Sequence, residues 1–311
     1  DILKIQITKE NEYKKIIINT ENGNIFIKID NKNQIIEYQN NNIKRIGANF
    51  LYYNESLDHL ELSNVIIIEN SFLYSNKSLD NLELPNVLKI GETFLYHNES
   101  LKQLALLNVI KIGYCFLHCN LSLKQLALPQ VMEIGGSFLY YNSSLIQLSL
   151  PKVKKIGDNF LVHNELLSKL SLSNVTKIGD NFLECNESLT QLSLPKVIEI
   201  GYNFLYSNKS LNYISLPEVK KIKFSFLEHN LSLYQLVLPN VTEIGENFLY
   251  YNKSLSYIFL PNVIEIGDNF LVYNESLTQL TLPKVKRVGE PFLFYNTSLN
   301  HLELSNVKGR G

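Results

Sequence analysis

Twenty-two residues beyond almost any position in this chain, the same kind of side chain returns. From Ser56 onward the pattern S-L-x-x-L-x-L-P-x-V-x-x-I-G-x-x-F-L-x-x-N-x runs without insertion or deletion, in units beginning at 56, 78, 100, 122, 144, 166, 188, 210, 232, 254 and 276, with a partial unit at 298. A diverged unit at 34–55 keeps Ile43, Ile46, Gly47, Phe50, Leu51 and Asn54. A unit of this size cannot enclose its own apolar side chains, so successive units must stack and share one continuous core.

Each part of the unit carries an expectation. Leu192-Ser193-Leu194 alternates as a short strand does, with the two leucines inward. Stacked units then form one parallel sheet. Proline at the eighth position, as in Pro195 and Pro217, lacks a ladder N–H and is expected to end each strand. Val197 and Ile200 re-enter the core, the following Gly201 supplies a turn, and Phe204-Leu205 fills the opposite side as a 3-10 or single helical turn. The twenty-first position is asparagine in all twelve units: Asn54, Asn76, Asn98, Asn120, Asn142, Asn164, Asn186, Asn208, Asn230, Asn252, Asn274 and Asn296. An inward amide can donate and accept at once, so this column reads as a ladder satisfying the peptide groups of its own turn and the next. Eleven of the twelve sit in N-x-S sequons, which an inward side chain cannot use as glycan acceptors.

The expected organisation is an N-terminal β cap at 1–33 followed by a solenoid at 34–311, made of the diverged unit 34–55, full units 56–297 and a partial unit 298–311. In the cap Leu3, Ile5 and Ile7 alternate, and the isoleucines at 16, 18, 25, 27 and 29 flank Asn22-Gly23 like a hairpin. At the other end Val307 keeps the pattern while Arg310 falls where isoleucine belongs.

Composition narrows the function. Lys and Arg total 29 against 30 for Asp and Glu, a net charge of -1 that supplies no field for nucleic acid or an anionic membrane. The apolar runs fall far short of the roughly 20 residues that insert into a bilayer. Three cysteines, Cys115, Cys119 and Cys185, make no disulfide framework and no C-x-x-C pair. No phosphate-binding loop, H-E-x-x-H or G-x-S-x-G motif occurs, so neither catalysis nor a cofactor is expected.

The unit L-x-x-L-x-L-P-x-V-x-x-I-G-x-x-F-L resembles the BspA-type leucine-rich repeat over residues 34–311, with Phe-Leu in place of the family's Ala-Phe and a shorter period. The resemblance implies a right-handed, arc-shaped solenoid with a parallel sheet on its concave face and short helical turns or loops on its convex face. It further implies a surface-exposed or secreted bacterial or protist protein engaged in adhesion.

On such a scaffold the outward strand positions form the binding face. Most are small or amide side chains, but Tyr213, Tyr234, Gln235, Val237, Tyr257 and Phe259 gather in three consecutive units. Grouped aromatics suit a protein or glycan ligand. Packing between neighbouring strands is the competing explanation. Asp58, Glu61, Asp80 and Glu83 make a second, acidic patch, read first as a solvated edge and second as a site for a basic partner.

Metal binding is not expected. Asp158-Asn159 and Asp180-Asn181 stack, but Ca²⁺ needs six to eight oxygens; the pairs read as caps of the following turn. His97, Cys119, His163 and Cys185 share the twentieth column and read as structural, because zinc requires a convergent set of ligands. Two further roles remain open: a recognition arm of an intracellular effector, and an architectural stalk or array with weak self-association.

Overall fold

The computed structural model describes residues 2–304 and Val307, so Arg310 and its expected departure from the pattern lie outside the described residues. The chain divides into two compact units, 1–152 and 153–311. Each is a parallel-strand solenoid in which one 22-residue coil makes one rung.

In the first unit, β1 (Ile2–Lys9), β2 (Tyr13–Thr20), β3 (Gly23–Asp30) and β4 (Ile35–Asn40) form an antiparallel meander. The hairpin between β2 and β3 closes with Thr20 opposite Gly23. Gly23 has φ +126, where any side chain would be strained and would also strike Asn42. β4 then pairs in parallel with His59–Glu61, which converts the meander into the coil. Tyr38 of β4 sets its ring edge-on against Phe50 at 5.2 Å, covering the first ring of the interior phenylalanine column. β1 does not share in that cover, since Ile2, Leu3, Ile5 and Ile7 are all exposed.

The L-x-L strands behave as the alternation requires. Asn81–Glu83 pairs with Gln103–Ala105, and Gln125–Ala127 with Gln147–Ser149, each residue opposite its equivalent one coil away. The second unit repeats this in Lys169–Ser171 with Gln191–Ser193, and in Tyr213–Ser215, Gln235–Val237 and Tyr257–Phe259. Every strand ends before the proline position.

A second row of strands was not anticipated. The two residues that end at the inward isoleucine pair in parallel from coil to coil: Arg45–Ile46, Ile67–Ile68, Lys89–Ile90, Lys111–Ile112 and Glu133–Ile134 in the first unit. Lys221–Ile222, Glu243–Ile244 and Glu265–Ile266 do so in the second.

The Phe-Leu segment departs from expectation. Among the described residues it contains no 3-10 or α-helix. Instead alternate residues are left-handed, as at Asn181 (φ 54), Leu183 (φ 55) and Cys185 (φ 56), and the same three positions repeat along the chain. The reason is hydrogen bonding between coils rather than within them. Leu183 N–H donates to Phe160 O at 2.9 Å, while Asn181 and Cys185 donate to Tyr202 O and Tyr206 O of the following coil at 2.9 and 3.0 Å. Flipping every second peptide satisfies the backbone on both sides, which a helical turn of this length could not do. Asparagine, which fills the first of these positions at Asn159, Asn181, Asn203, Asn247 and Asn269, is among the side chains that best tolerate φ above zero.

Two further expectations change for the same reason. The glycine after isoleucine makes no left-handed turn; it allows close stacking of coils. A Cβ on Gly201 would lie 2.4 Å from the backbone of Gly179, whereas Gly47, in the first coil, would meet nothing within 4 Å. The Asp-Asn pairs do not cap a turn. Asp158 Oδ1 accepts from Asp180 N–H at 2.9 Å and Asp180 Oδ1 from Tyr202 N–H at 2.8 Å, while Asn181 Nδ2 donates to Asn159 Oδ1 at 2.8 Å.

Inside, Leu, Val, Ile and Phe columns are buried almost without exception. The phenylalanine rings stack face to face, for example Phe182 on Phe204 at 5.3 Å and 11°. Asn76 through Asn274 of the asparagine column are fully buried, Asn54 nearly so, and Asn296 partly. These amides chiefly donate. Asn186 Nδ2 reaches Leu161 O of the preceding coil at 2.7 Å and Glu184 O of its own at 3.1 Å. The expected acceptance occurs at Asn54, Asn76 and Asn252, whose Oδ1 atoms take Ile35 N–H at 2.8 Å, Leu79 N–H at 3.4 Å and Asn230 N–H at 3.1 Å, while Oδ1 of Asn98, Asn120, Asn142, Asn186 and Asn208 has no partner.

Candidate binding surfaces

The strand face of the second unit carries the patch expected from sequence. Tyr213, Gln235 and Tyr257 stand opposite one another on three paired strands, and Ser215, Val237 and Phe259 do the same two residues on. Tyr213, Tyr234, Tyr257 and Phe259 expose 45%, 54%, 42% and 40% of their surface; Gln235 and Val237 are half-buried between them. The parallel pairing holds the backbone under these side chains, so they form one apolar surface with a central amide. Beside it Lys169, Gln191, Ser193 and Asn212 line a groove that ends at Tyr213.

The acidic patch lies on the first unit. Asp58, Asp80 and Glu83 are exposed and Glu61 half-buried. Asn41 Nδ2 donates to Glu61 at 2.6 Å, and Lys102 stands 3.6 Å from Asp80. Part of its charge is therefore met within the chain.

The second row of strands bears alternating charges that pair along it: Lys177 with Glu199 at 2.9 Å, Lys221 with Glu243 at 2.7 Å, and Arg287 with Glu265. A groove runs over this row, and its charges cancel locally.

Sequence reasoning overlooked two aromatic columns beside the asparagine ladder. In the first unit Tyr52, Tyr74, Tyr96, His118 and Tyr140 stack at 4.5 to 4.9 Å. In the second, Tyr273 stacks on Tyr295 at 4.6 Å and Tyr251 lies tilted against Tyr273 at 4.6 Å. Reading the nineteenth position down the units would have found the first of these. Where it meets the twentieth column, His97, His118 and Cys119 present ligand-type atoms within 4.8 Å of one another, and His118 Nδ1 lies 3.1 Å from Cys119 Sγ. Burial first, then the nearby Glu99 carboxylate, pushes the Cys119 thiol up.

Burial, and secondarily the charge of His97, lowers His118 from 6.5 to about 4. Between those values the unfolded chain binds a proton that the folded chain refuses. Stability is thus greatest above pH 6.5 and declines as pH falls toward about 4. In metal-free buffer the urea midpoint of wild type is expected to drop more steeply over this window than that of His118→Gln; parallel curves would show that the ring does not contribute. The side chain is only partly buried, so solvent screening keeps the difference modest.

No helix among the described residues is long and apolar enough to cross a membrane. Stacked coils with a sealed core and outward strand side chains define a repeat scaffold of the leucine-rich-repeat class. The BspA type leucine rich repeat region matches residues 22–122, 89–212 and 198–309, in 6 copies. The chain belongs to this family.

Among solved structures it is similar in fold to a leucine rich cell surface protein of Faecalibacterium prausnitzii A2-165. The identity is 17%, with 96% of this chain and 94% of that one covered and a TM-score of 0.50. It is also similar to a leucine-rich repeat protein of Bacteroides ovatus ATCC 8483, at 18% identity, 98% and 88% coverage and a TM-score of 0.51. No curated protein matches it in sequence.

Proposed function

We propose that this chain is a non-catalytic binding module of a cell-surface or secreted protein, and that it holds a protein ligand on the strand face of its second unit. The observation that carries this reading is the contiguous exposed patch of Tyr213, Tyr234, Tyr257 and Phe259 around Gln235 and Val237. Single exposed aromatics need no explanation, but a group on adjacent strands exposes apolar surface that a partner would cover. Tyrosine is also enriched among residues that dominate protein interfaces. The resemblance in fold to a protein described as a cell surface protein supports the location.

The acidic patch at Asp58, Glu61, Asp80 and Glu83 of the first unit is read separately, first as a solvated edge and second as a contact for a basic partner. Glycans are the alternative ligand class for the aromatic face, since flat rings also stack on sugars.

The double variant Tyr257→Ser/Phe259→Ser tests the reading. Purified wild type and variant are compared for binding to an array of extracellular-matrix proteins and glycans. Removal of two such side chains is expected to weaken the retained ligand by at least roughly tenfold, about 1.4 kcal/mol or more, with little change in thermal midpoint. Equal binding by the two proteins would reject this face.

A further inference from the structure

The geometry points to a zinc site formed by His97, His118 and Cys119, bridging two consecutive coils of the first unit. The three residues come from the units beginning at 78 and 100, and one ligand atom from each lies within 4.8 Å of the other two. Among the described residues this is the group of histidine, cysteine and carboxylate side chains that converges so closely.

The backbone holds the set together. His97 N–H donates to His118 O at 2.9 Å, which fixes the register of the two coils at this point. His97 (φ 55) and Cys119 (φ 56) occupy the same left-handed position of successive coils, so their side chains leave the backbone alike. His118 is sandwiched between Tyr96 at 4.5 Å and Tyr140 at 4.9 Å, which sets the plane of its ring. A donor held by stacking loses little freedom on binding.

The donor chemistry selects the ion. Two imidazoles and one thiol suit a borderline-soft transition ion, and hard cations such as Ca²⁺ and Mg²⁺ would find no oxygen cage here. Zinc–nitrogen and zinc–sulfur bonds of about 2.0 to 2.3 Å place neighbouring ligand atoms roughly 3.5 Å apart in a tetrahedron. The His118 Nδ1 to Cys119 Sγ distance of 3.1 Å is already near that value. The remaining separations need to close by about 1 Å, which rotation of the half-buried His97 and Cys119 side chains provides while His118 stays stacked.

Glu99, whose Oε1 stands 3.9 Å from His97 Nδ1, is placed to complete the set or to orient the imidazole. Binding replaces the Cys119 S–H by an S–Zn bond and releases the proton to solvent. The consequence is a staple between coils, since the ion ties side chains of residues that are otherwise joined across the coils by the His97 N–H to His118 O backbone bond.

The site is tested by titrating the reduced protein with Co²⁺ and then displacing it with Zn²⁺. The expected result is a thiolate-to-cobalt charge-transfer band with visible bands of tetrahedral intensity, saturating at one ion per chain and bleached by one equivalent of Zn²⁺. The band is expected to vanish in Cys119→Ser, to weaken at least tenfold in apparent affinity in His118→Asn, and to persist in Cys185→Ser. Zinc should raise the thermal midpoint of wild type but not of Cys119→Ser, whose far-UV spectrum serves as the folding control. Absence of the band in wild type, or its survival in Cys119→Ser, would overturn the proposal.

Discussion

Phe182→Ala is expected to cost about 3–5 kcal/mol of folding free energy, the range for removing a fully buried phenylalanine from a core that cannot collapse around the gap. Phe182 has no exposed surface and stacks on Phe160 at 5.5 Å and on Phe204 at 5.3 Å. Truncation therefore takes a face from two neighbouring rings as well as leaving a void. The coils around the void are pinned by backbone bonds on both sides, such as Leu183 N–H to Phe160 O at 2.9 Å and Leu205 N–H to Phe182 O at 3.0 Å. Relaxation into the cavity is accordingly small. Urea denaturation followed by circular dichroism measures the effect, with Phe259→Ser as the control. That residue is also a phenylalanine but is 40% exposed on the strand face, and its loss should stay below about 1 kcal/mol. A Phe182→Ala shift as small as the control would contradict the stacked interior. Because each coil touches only its neighbours, the variant should also broaden the transition, as the array loses coupling at one point.

Asn186→Ala is expected to be the second large loss of stability, smaller than that of Phe182→Ala. The side-chain amide is fully buried and donates to Leu161 O and Glu184 O. Alanine leaves Leu161 O without that donor, whereas Glu184 O keeps His163 N–H at 3.0 Å, and one unsatisfied buried group costs about 1–3 kcal/mol. The loss is therefore roughly 1–3 kcal/mol, read from the same urea midpoints. Asn186→Asp separates hydrogen bonding from shape. It keeps the volume, replaces donor by acceptor, and brings a carboxylate into a dry site where its pKa must rise above that of the unfolded chain. The aspartate variant should thus lose stability as pH rises through the ordinary carboxylate range, whereas the alanine variant should show no added pH dependence there. Matching pH profiles for the two variants would mean that the site is wet, contrary to the geometry.

The asparagine column also shows what could be read from residues alone. Its invariance marked it as inward, and its burial follows, but the direction of its bonds did not follow. An amide can donate or accept, and only the positions of Leu161 O and Glu184 O show that Asn186 donates to two coils while its Oδ1 stands without a partner. The aromatic patch around Tyr257 was legible because strand alternation fixes which side chains point outward, and the repeat fixes which of them are adjacent. Of the cluster, His97 and Cys119 were seen to share a column, but His118 was missed because it stands in the neighbouring one. Column-by-column reading compares positions one period apart and does not show when neighbouring columns converge.

By itself the sequence determined the stacking of coils, the strand at each L-x-L and the identity of the buried columns, because a strict period and its apolar positions leave a chain of this composition one way to hide them. Tertiary structure alone decided the left-handed alternation at residues such as Asn181, Leu183 and Cys185, the second row of strands, and the need for Gly201 to lie against Gly179. Those features arise from backbone groups bonding to the coils before and after, and from how closely those coils approach. Neither quantity is written in the side chains of one repeat.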